Sequence, residues 1–266
     1  MPAPAVVYVF RLPLDGAAIF GYPAGVQYIG GKNGGGVYQK IINLIPPHRV
    51  YIEPFLGSGA VLRMKRPAAV NIGVDLDGGA IASARRELAQ SFAAAPPGGA
   101  TPAQLILAAV DGIEFLRSYQ WQGDEFVYLD PPYLWATRRC ARRYYRYEFT
   151  DADHARLLDV IIGLPCKALI SGYYSEMYAD ALQGWSVHTF EAATRAGRTA
   201  TEYVWYNYPR PVELHDYRFL GDDRTERQRI KRKRDRWTRR LDQMPPLERF
   251  AVLSAVQEWR DRRCSQ

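Results

Sequence analysis

Seven short apolar runs, at residues 49–52, 70–74, 105–110, 126–129, 168–171, 187–190 and 203–206, constrain the fold of this chain more than any other feature. Several are separated by helix-patterned stretches, at 37–44, 59–65, 79–94, 151–162 and 174–182. Strand and helix in alternation predict an α/β sheet with parallel strands. The last two runs are joined by the Gly-containing stretch 191–201 alone, which predicts an antiparallel hairpin at one edge. Pro96-Pro97-Gly98-Gly99 marks a surface loop. With 266 residues and 47% hydrophobic content, the chain can bury a substantial core and is expected to form one large domain with an appendage.

The appendage begins after Pro209-Arg210-Pro211, where the pattern turns long, charged and helical. A helix is predicted over 224–241, a break at Pro245-Pro246, and a second helix over 247–262 with Phe250, Leu253 and Val256 or Trp259 on one face, together a helical hairpin. Charge concentrates here. Residues 224–240 hold ten basic and two acidic side chains, a net +8, so the rest of the chain sums to −1 of the total +7. Arg229, Lys231, Arg232, Lys233 and Arg236 are the candidate contacts to a polyanion, against the alternative of a solvated helix face. A second cluster, Arg138, Arg139, Arg142, Arg143 and Arg146, alternates with Tyr144, Tyr145 and Tyr147. Cations for phosphates beside rings for bases are the footprint of a nucleic-acid surface. Arg195 and Arg198, in the hairpin connection, are further candidates.

The three cysteines, Cys140, Cys166 and Cys264, are odd in number and widely spaced, so neither a disulfide framework nor a metal site is expected. Neither a signal peptide nor a membrane-length apolar stretch is seen, which predicts a soluble, cytoplasmic protein, nucleoid-associated in a prokaryote or a phage-infected cell.

Candidate chemistry gathers at strand ends. Asp130-Pro131-Pro132-Tyr133 follows the run 125–129, where open α/β sheets place their ligands. Tyr133 offers a rigid face to a planar ring, and Asp130 and the Pro131 carbonyl offer acceptors to an exocyclic amine. A strand ending in a Pro turn is the plainer reading. Glu53-Pro54-Phe55-Leu56-Gly57-Ser58-Gly59 follows the first strand and opens a helix, so small residues bring backbone amides toward a ligand. Asp75, ending the second strand, can accept from ribose hydroxyls, or it can cap the next helix, a role to which Asp77 is equally suited. Asp111 closes the third strand over the same crevice. Tyr28-Ile29-Gly30-Gly31-Lys32 supplies a ring, a flexible turn and a cation suited to a carboxylate.

In this order, YIGGK, EPFLGSG, the strands ending in VD and DG, DPPY, FTDADHARLL, KALISGYYSEMY and TRAGRTATEYVWYN resemble the DNA adenine N6-methyltransferases of the Dam type, over residues 28 to about 208. The resemblance implies a Rossmann-like, seven-stranded, mostly parallel sheet with one antiparallel strand, which places a methyltransferase domain over 1–210 with a DNA-contacting loop at 134–150; the charge pattern places the basic helical extension over 211–266. It implies S-adenosylmethionine as cofactor, held by Tyr28, Lys32, Phe55, Gly57, Asp75 and Asp111, with Pro54, Ser58, Gly59 and Asp130 beside it. Asp130 through Tyr133 would receive a flipped adenine, and double-stranded DNA would be the partner. No nucleophilic side chain is needed, so Cys140 and Cys166 are structural or incidental. The chain departs from the family in one respect. Only 112–129 separate Asp111 from DPPY, which leaves no room for the usual target-recognition insertion, so short or relaxed sequence specificity is expected. Rival readings are a cytosine N4 or RNA adenine methyltransferase, and a catalytically silent DNA-binding protein.

Overall fold

The computed structural model describes residues 32, 36–93, 103–138, 146–193 and 199–264. The expected Tyr28, Arg139, Arg142, Arg143, Arg195 and Arg198 contacts, and the 96–99 loop, lie outside them. In chain order the elements are α1 (Val37–Ile42), β1 (Val50–Glu53), α2 (Ala60–Met64), β2 (Val70–Asp75), α3 (Gly78–Ala93), β3 (Gln104–Ala109), α4 (Gly112–Ser118), β4 (Glu125–Leu129), α5 (Asp151–Ile162), β5 (Lys167–Gly172), α6 (Glu176–Ala181), β6 (Ser186–Ala193), β7 (Thr199–Tyr206), α7 (Arg224–Gln243) and α8 (Pro246–Cys264).

The strands form one sheet in the order β3-β2-β1-β4-β5-β7-β6. β1 through β5 pair in parallel, and β7 runs antiparallel to both its neighbours. The expected sheet, with a single antiparallel strand, is therefore present. Its central strands are apolar on both faces, as a sheet covered by helices on each side requires. Tyr51, Phe126, Tyr128, Leu169, Val204 and Tyr206 pack on one face with Ile41, Ile42, Leu62, Ala84 and Leu88. Their chain neighbours Val50, Ile52, Val127, Leu129, Ile170 and Trp205 pack on the other with Ile113, Phe115, Leu157, Leu158 and Ile161. The alternation along each strand is the period of two that a pleated sheet imposes.

Local chemistry sets the element ends. Thr150 and Asp153 form a reciprocal capping box that starts α5, and the Ser175 hydroxyl caps α6. The edge hairpin is longer than the sequence pattern indicates: β6 and β7 pair out to Ala193 and Thr199, within the stretch read as their connection. Those outer rungs are small or polar, and Thr201 donates to Glu191 Oε1 at 2.7 Å, a cross-strand pair that an apolar-run criterion does not register.

Both tail helices form, but not as a hairpin sharing a core. α7 buries no side chain, and on α8 Leu247, Phe250 and Trp259 are more than half exposed. Ile230, Trp237 and Leu241 share one face of α7, but α8 does not cover it, and Trp237 stays half exposed. Pro246 occupies the first turn of α8, where its missing N–H costs nothing. The segment leading to α7 is tied under the sheet: the Tyr208 hydroxyl donates to the Leu44 carbonyl at 2.9 Å, and the Arg66 amide to Asp216 Oδ2 at 2.8 Å.

Candidate active site

The strand order reverses between β1 and β4, which opens a crevice beyond their carboxyl ends. An open cleft lies there, lined by both polar and apolar side chains. Four strand-end loops wall it: Glu53 with Phe55 through Ser58 after β1, Asp75 and Leu76 after β2, Asp111 and Gly112 after β3, Asp130 and Pro132 after β4. The sequence candidates from four separate motifs thus meet at one cavity.

The β1 loop is shaped by glycine. Gly59 caps α2 with φ of 61°, a left-handed conformation that disfavours any side chain. Across the cleft, a Cβ on Gly112 would lie 2.4 Å from the Pro54 carbonyl oxygen, so the two loops touch backbone to backbone only because Gly112 has none. Pro54 is buried beneath this contact.

Asp75 and Asp111 are already engaged with backbone amides. Asp75 accepts from Gly57 N at 2.7 Å and from Asp77 N at 2.8 Å, which fixes the glycine loop to the end of β2. The capping position before α3 goes to Asp77, whose carboxylate accepts from Gly79 N at 2.9 Å. Burial raises the pKa of Asp75, and these two amides partly oppose the shift. Asp111 caps α4 by accepting from Ile113 N at 2.8 Å and Glu114 N at 3.0 Å.

The β4 end holds a buried cluster of charge. Lys32 lies 3.0 Å from Asp130 Oδ1 and 2.5 Å from Glu202 Oε1, and also donates to the Tyr133 hydroxyl, which in turn donates to Glu202. Lys32 was expected to meet a cofactor carboxylate; it lines the cleft together with Asp130, and there it meets two of the protein's own acids. Burial lowers the Lys32 pKa, but Asp130 and Glu202 outweigh it and the net shift is upward. Burial raises that of Asp130, opposed by Lys32 and reinforced by Glu202. Ser171 of β5 also donates to Asp130 Oδ1, at 3.0 Å. Among the described residues both partners of Asp130 therefore sit on Oδ1. Pro131 is buried, while the half-buried Tyr133 ring meets Tyr173 edge-on at 4.7 Å.

The arginines divide. Arg138, expected on the DNA surface, has a side chain only 6% exposed: it pairs with Glu148 at 2.6 Å and donates to the Tyr133 carbonyl at 2.7 Å. It clips together the two ends of the loop it belongs to, and a buried paired guanidinium is not available to a phosphate. Arg146 is half exposed and reaches Asp77 at 3.3 Å, across the cleft mouth. Arg229, Lys231, Arg232, Lys233 and Arg236 stand exposed along α7, well apart from any core.

Glu202, Ser171, Glu53, Leu76, Tyr147 and Phe149 belong to the site without having been singled out for it in the sequence. Glu202 had a signal, as the lone charge in the strand TATEYVWY. Glu53 accepts from the Tyr51 hydroxyl at 2.9 Å and Leu62 N at 3.1 Å, and burial pushes its carboxyl up to about 8. Tyr147 was grouped with the arginines as a base-stacking ring, yet it lines the cleft with Phe149, which packs edge-on against Phe55 at 5.4 Å.

No family model and no curated protein matches the sequence. Among solved structures, the chain is similar to the magnesium protoporphyrin IX methyltransferase of Synechocystis PCC 6803 with bound SAM (13% identity, 64% of this chain and 78% of that one, TM-score 0.41). It is also similar to an rRNA methylase of Streptococcus thermophilus (11%, 64% and 93%, TM-score 0.40). A third is M. capricolum TrmK in complex with S-adenosyl-homocysteine (9%, 84% and 96%, TM-score 0.40).

Proposed function

We propose that this chain is an S-adenosylmethionine-dependent methyltransferase whose acceptor is the N6 amine of an adenine flipped out of double-stranded DNA. One observation carries the reading: Asp130 of the DPPY turn and the glycine- and acid-lined loops, far apart in sequence, wall a single cleft at the sheet's switch point.

The residues present suit the cofactor. The β1 loop gives a close backbone approach, Asp75 and Asp111 give acceptors at adjacent strand ends, and Phe55, Leu76, Tyr147 and Phe149 give apolar and aromatic surface for a purine. S-adenosylmethionine supplies an electrophilic methyl carbon on a sulfonium. What the chain adds is alignment and charge. Asp130 Oδ2 and the Pro131 carbonyl each accept one amine hydrogen, which turns the nitrogen lone pair out of the ring and stabilises the positive charge it develops. Tyr133 stacks the extruded base. As the new N–C bond forms the methyl–sulfur bond breaks, and the nitrogen then releases one proton to water.

The methyltransferase unit spans 1–210 and the basic extension 211–266. α7 supplies the phosphate contacts that offset the few kcal/mol of base extrusion. α4, β4 and the short 119–124 connection between them take up the whole interval between Asp111 and Asp130, which supports short or relaxed specificity. Mapping N6-methyladenine across treated random duplex DNA tests this: a motif of three bases or fewer is expected, and a strict motif of four or more contradicts it.

A further inference from the structure

Glu202 lies on the antiparallel strand β7, two strands away from the DPPY turn after β4, yet it is 4% exposed and joined to that turn twice. Its Oε1 accepts from Lys32, which itself grips Asp130 Oδ1, and from the Tyr133 hydroxyl. The Lys32 ammonium is 4.7 Å from the Tyr133 ring centroid, with the hydroxyl between them, so it holds the ring by its hydroxyl rim. A buried charge is retained only where it is paired, and an ammonium among two acids and a phenol is fixed in place by all of them.

We infer that Glu202 is a positioning residue for methyl transfer: through Lys32 it turns the free oxygen of Asp130 toward the acceptor amine, and through the hydroxyl it sets the plane of Tyr133. This rests on the methyltransferase reading above. Glu202 touches neither methyl donor nor acceptor in this role. It aims two groups that do.

The electrostatics give it a signature. Asp130 is within reach of Lys32, of Glu202 on β7, of Glu53 and the Tyr51 hydroxyl on β1, of Tyr128 on β4 and of Tyr178 on α6. Of the two charges in direct contact within the cluster, Lys32 lowers the Asp130 pKa and Glu202 raises it. Neutralising one or the other must move Asp130 in opposite directions.

The test is the pH profile of kcat/KM for duplex DNA in wild type, Glu202→Gln, Glu202→Asp and Lys32→Met, with circular dichroism as the folding control. Glu202→Gln is expected to lose about a hundredfold in plateau kcat, the scale of a misaimed reacting group, with S-adenosylmethionine affinity unchanged and the acid limb moved to lower pH. Lys32→Met is expected to move that limb to higher pH. Glu202→Asp keeps the wild-type limb and recovers most of the rate, and it carries the test if the Gln variant does not fold. Limbs that stay in place or move together, or a Glu202→Gln enzyme at wild-type rate, overturn the inference alone. A folded wild type that transfers no methyl at any pH overturns the reading beneath it.

Discussion

The DPPY pocket and α7 are both dense in charge, and they use it in opposite ways. In the pocket Lys32 and Glu202 are buried and Asp130 largely so, and both acids pair with the one cation within hydrogen-bond distance. Along α7 none of the ten cations is buried, and their partners are surface ones such as Glu226, 3.3 Å from Arg229, and the Tyr217 carbonyl, 3.1 Å from Arg234. Buried charge has direction and resists screening, so it can orient a reacting atom. Exposed charge is screened beyond about 10 Å at 0.1 M salt and gives affinity without geometry. The first should govern rate, the second binding.

The sharpest break is Asp130→Ala. It should cost about a thousandfold or more in single-turnover transfer, as loss of a principal charge-stabilising group does, and leave DNA affinity within about twofold. Equal loss of binding and rate would merge the two regions into one function. Replacing Arg229, Lys231, Arg232, Lys233 and Arg236 by Gln should do the reverse. DNA affinity should fall at least about tenfold and the slope of log K against log salt should flatten by up to about 4.5 units, since each lost phosphate contact removes roughly 0.9. Saturating kcat should hold. An unchanged salt slope would return α7 to a solvated face.

A smaller effect probes a separate polar group, the stacked pair of half-buried His48 and buried His215, 3.9 Å between ring centroids. Burial, then the nearby Lys65, holds both well below the ordinary 6.5, His215 at about 4. Their folded pKa values are depressed, so the stability they carry is present above pH 6.5 and is lost as pH falls from there toward 4. Unfolding titrations should show a loss approaching roughly 1.4 kcal/mol per pH unit for each histidine that takes up a proton on unfolding. His215→Gln should reduce that slope, and an unaltered slope would place the acid sensitivity elsewhere. Smallest is Arg146→Ala. The Arg146–Asp77 pair is half exposed, and such pairs contribute about 0–1 kcal/mol, so S-adenosylmethionine affinity measured by calorimetry should change by no more than about fivefold.

The fold was legible because it is written in local pattern: runs of Val, Ile, Leu and Tyr alternating with capped helices leave few alternatives to a covered, mostly parallel sheet. The cleft was legible for the same reason, since Gly57, Asp75, Asp111 and Asp130 all mark strand ends and strand ends converge. What escaped depends on pairings between distant segments. Glu202 reads as an ordinary polar residue in an edge strand until β7 is inserted beside β5, which brings it within reach of Lys32, 170 residues away. Arg138 reads as part of a cationic cluster until Glu148 is seen to bury it. The α8 face expected from Phe250, Leu253 and Val256 or Trp259 stays exposed, because a few apolar residues on a helix do not by themselves bring a second helix against them.

The central claim is tested most directly by incubating the protein with methyl-labelled S-adenosylmethionine and duplex DNA, digesting the DNA to nucleosides and identifying the labelled one. The account predicts label in N6-methyladenosine of the deoxy series, absent with Asp130→Ala. Label in N4-methylcytosine instead, or unlabelled DNA from a folded protein that binds S-adenosylmethionine, would contradict it.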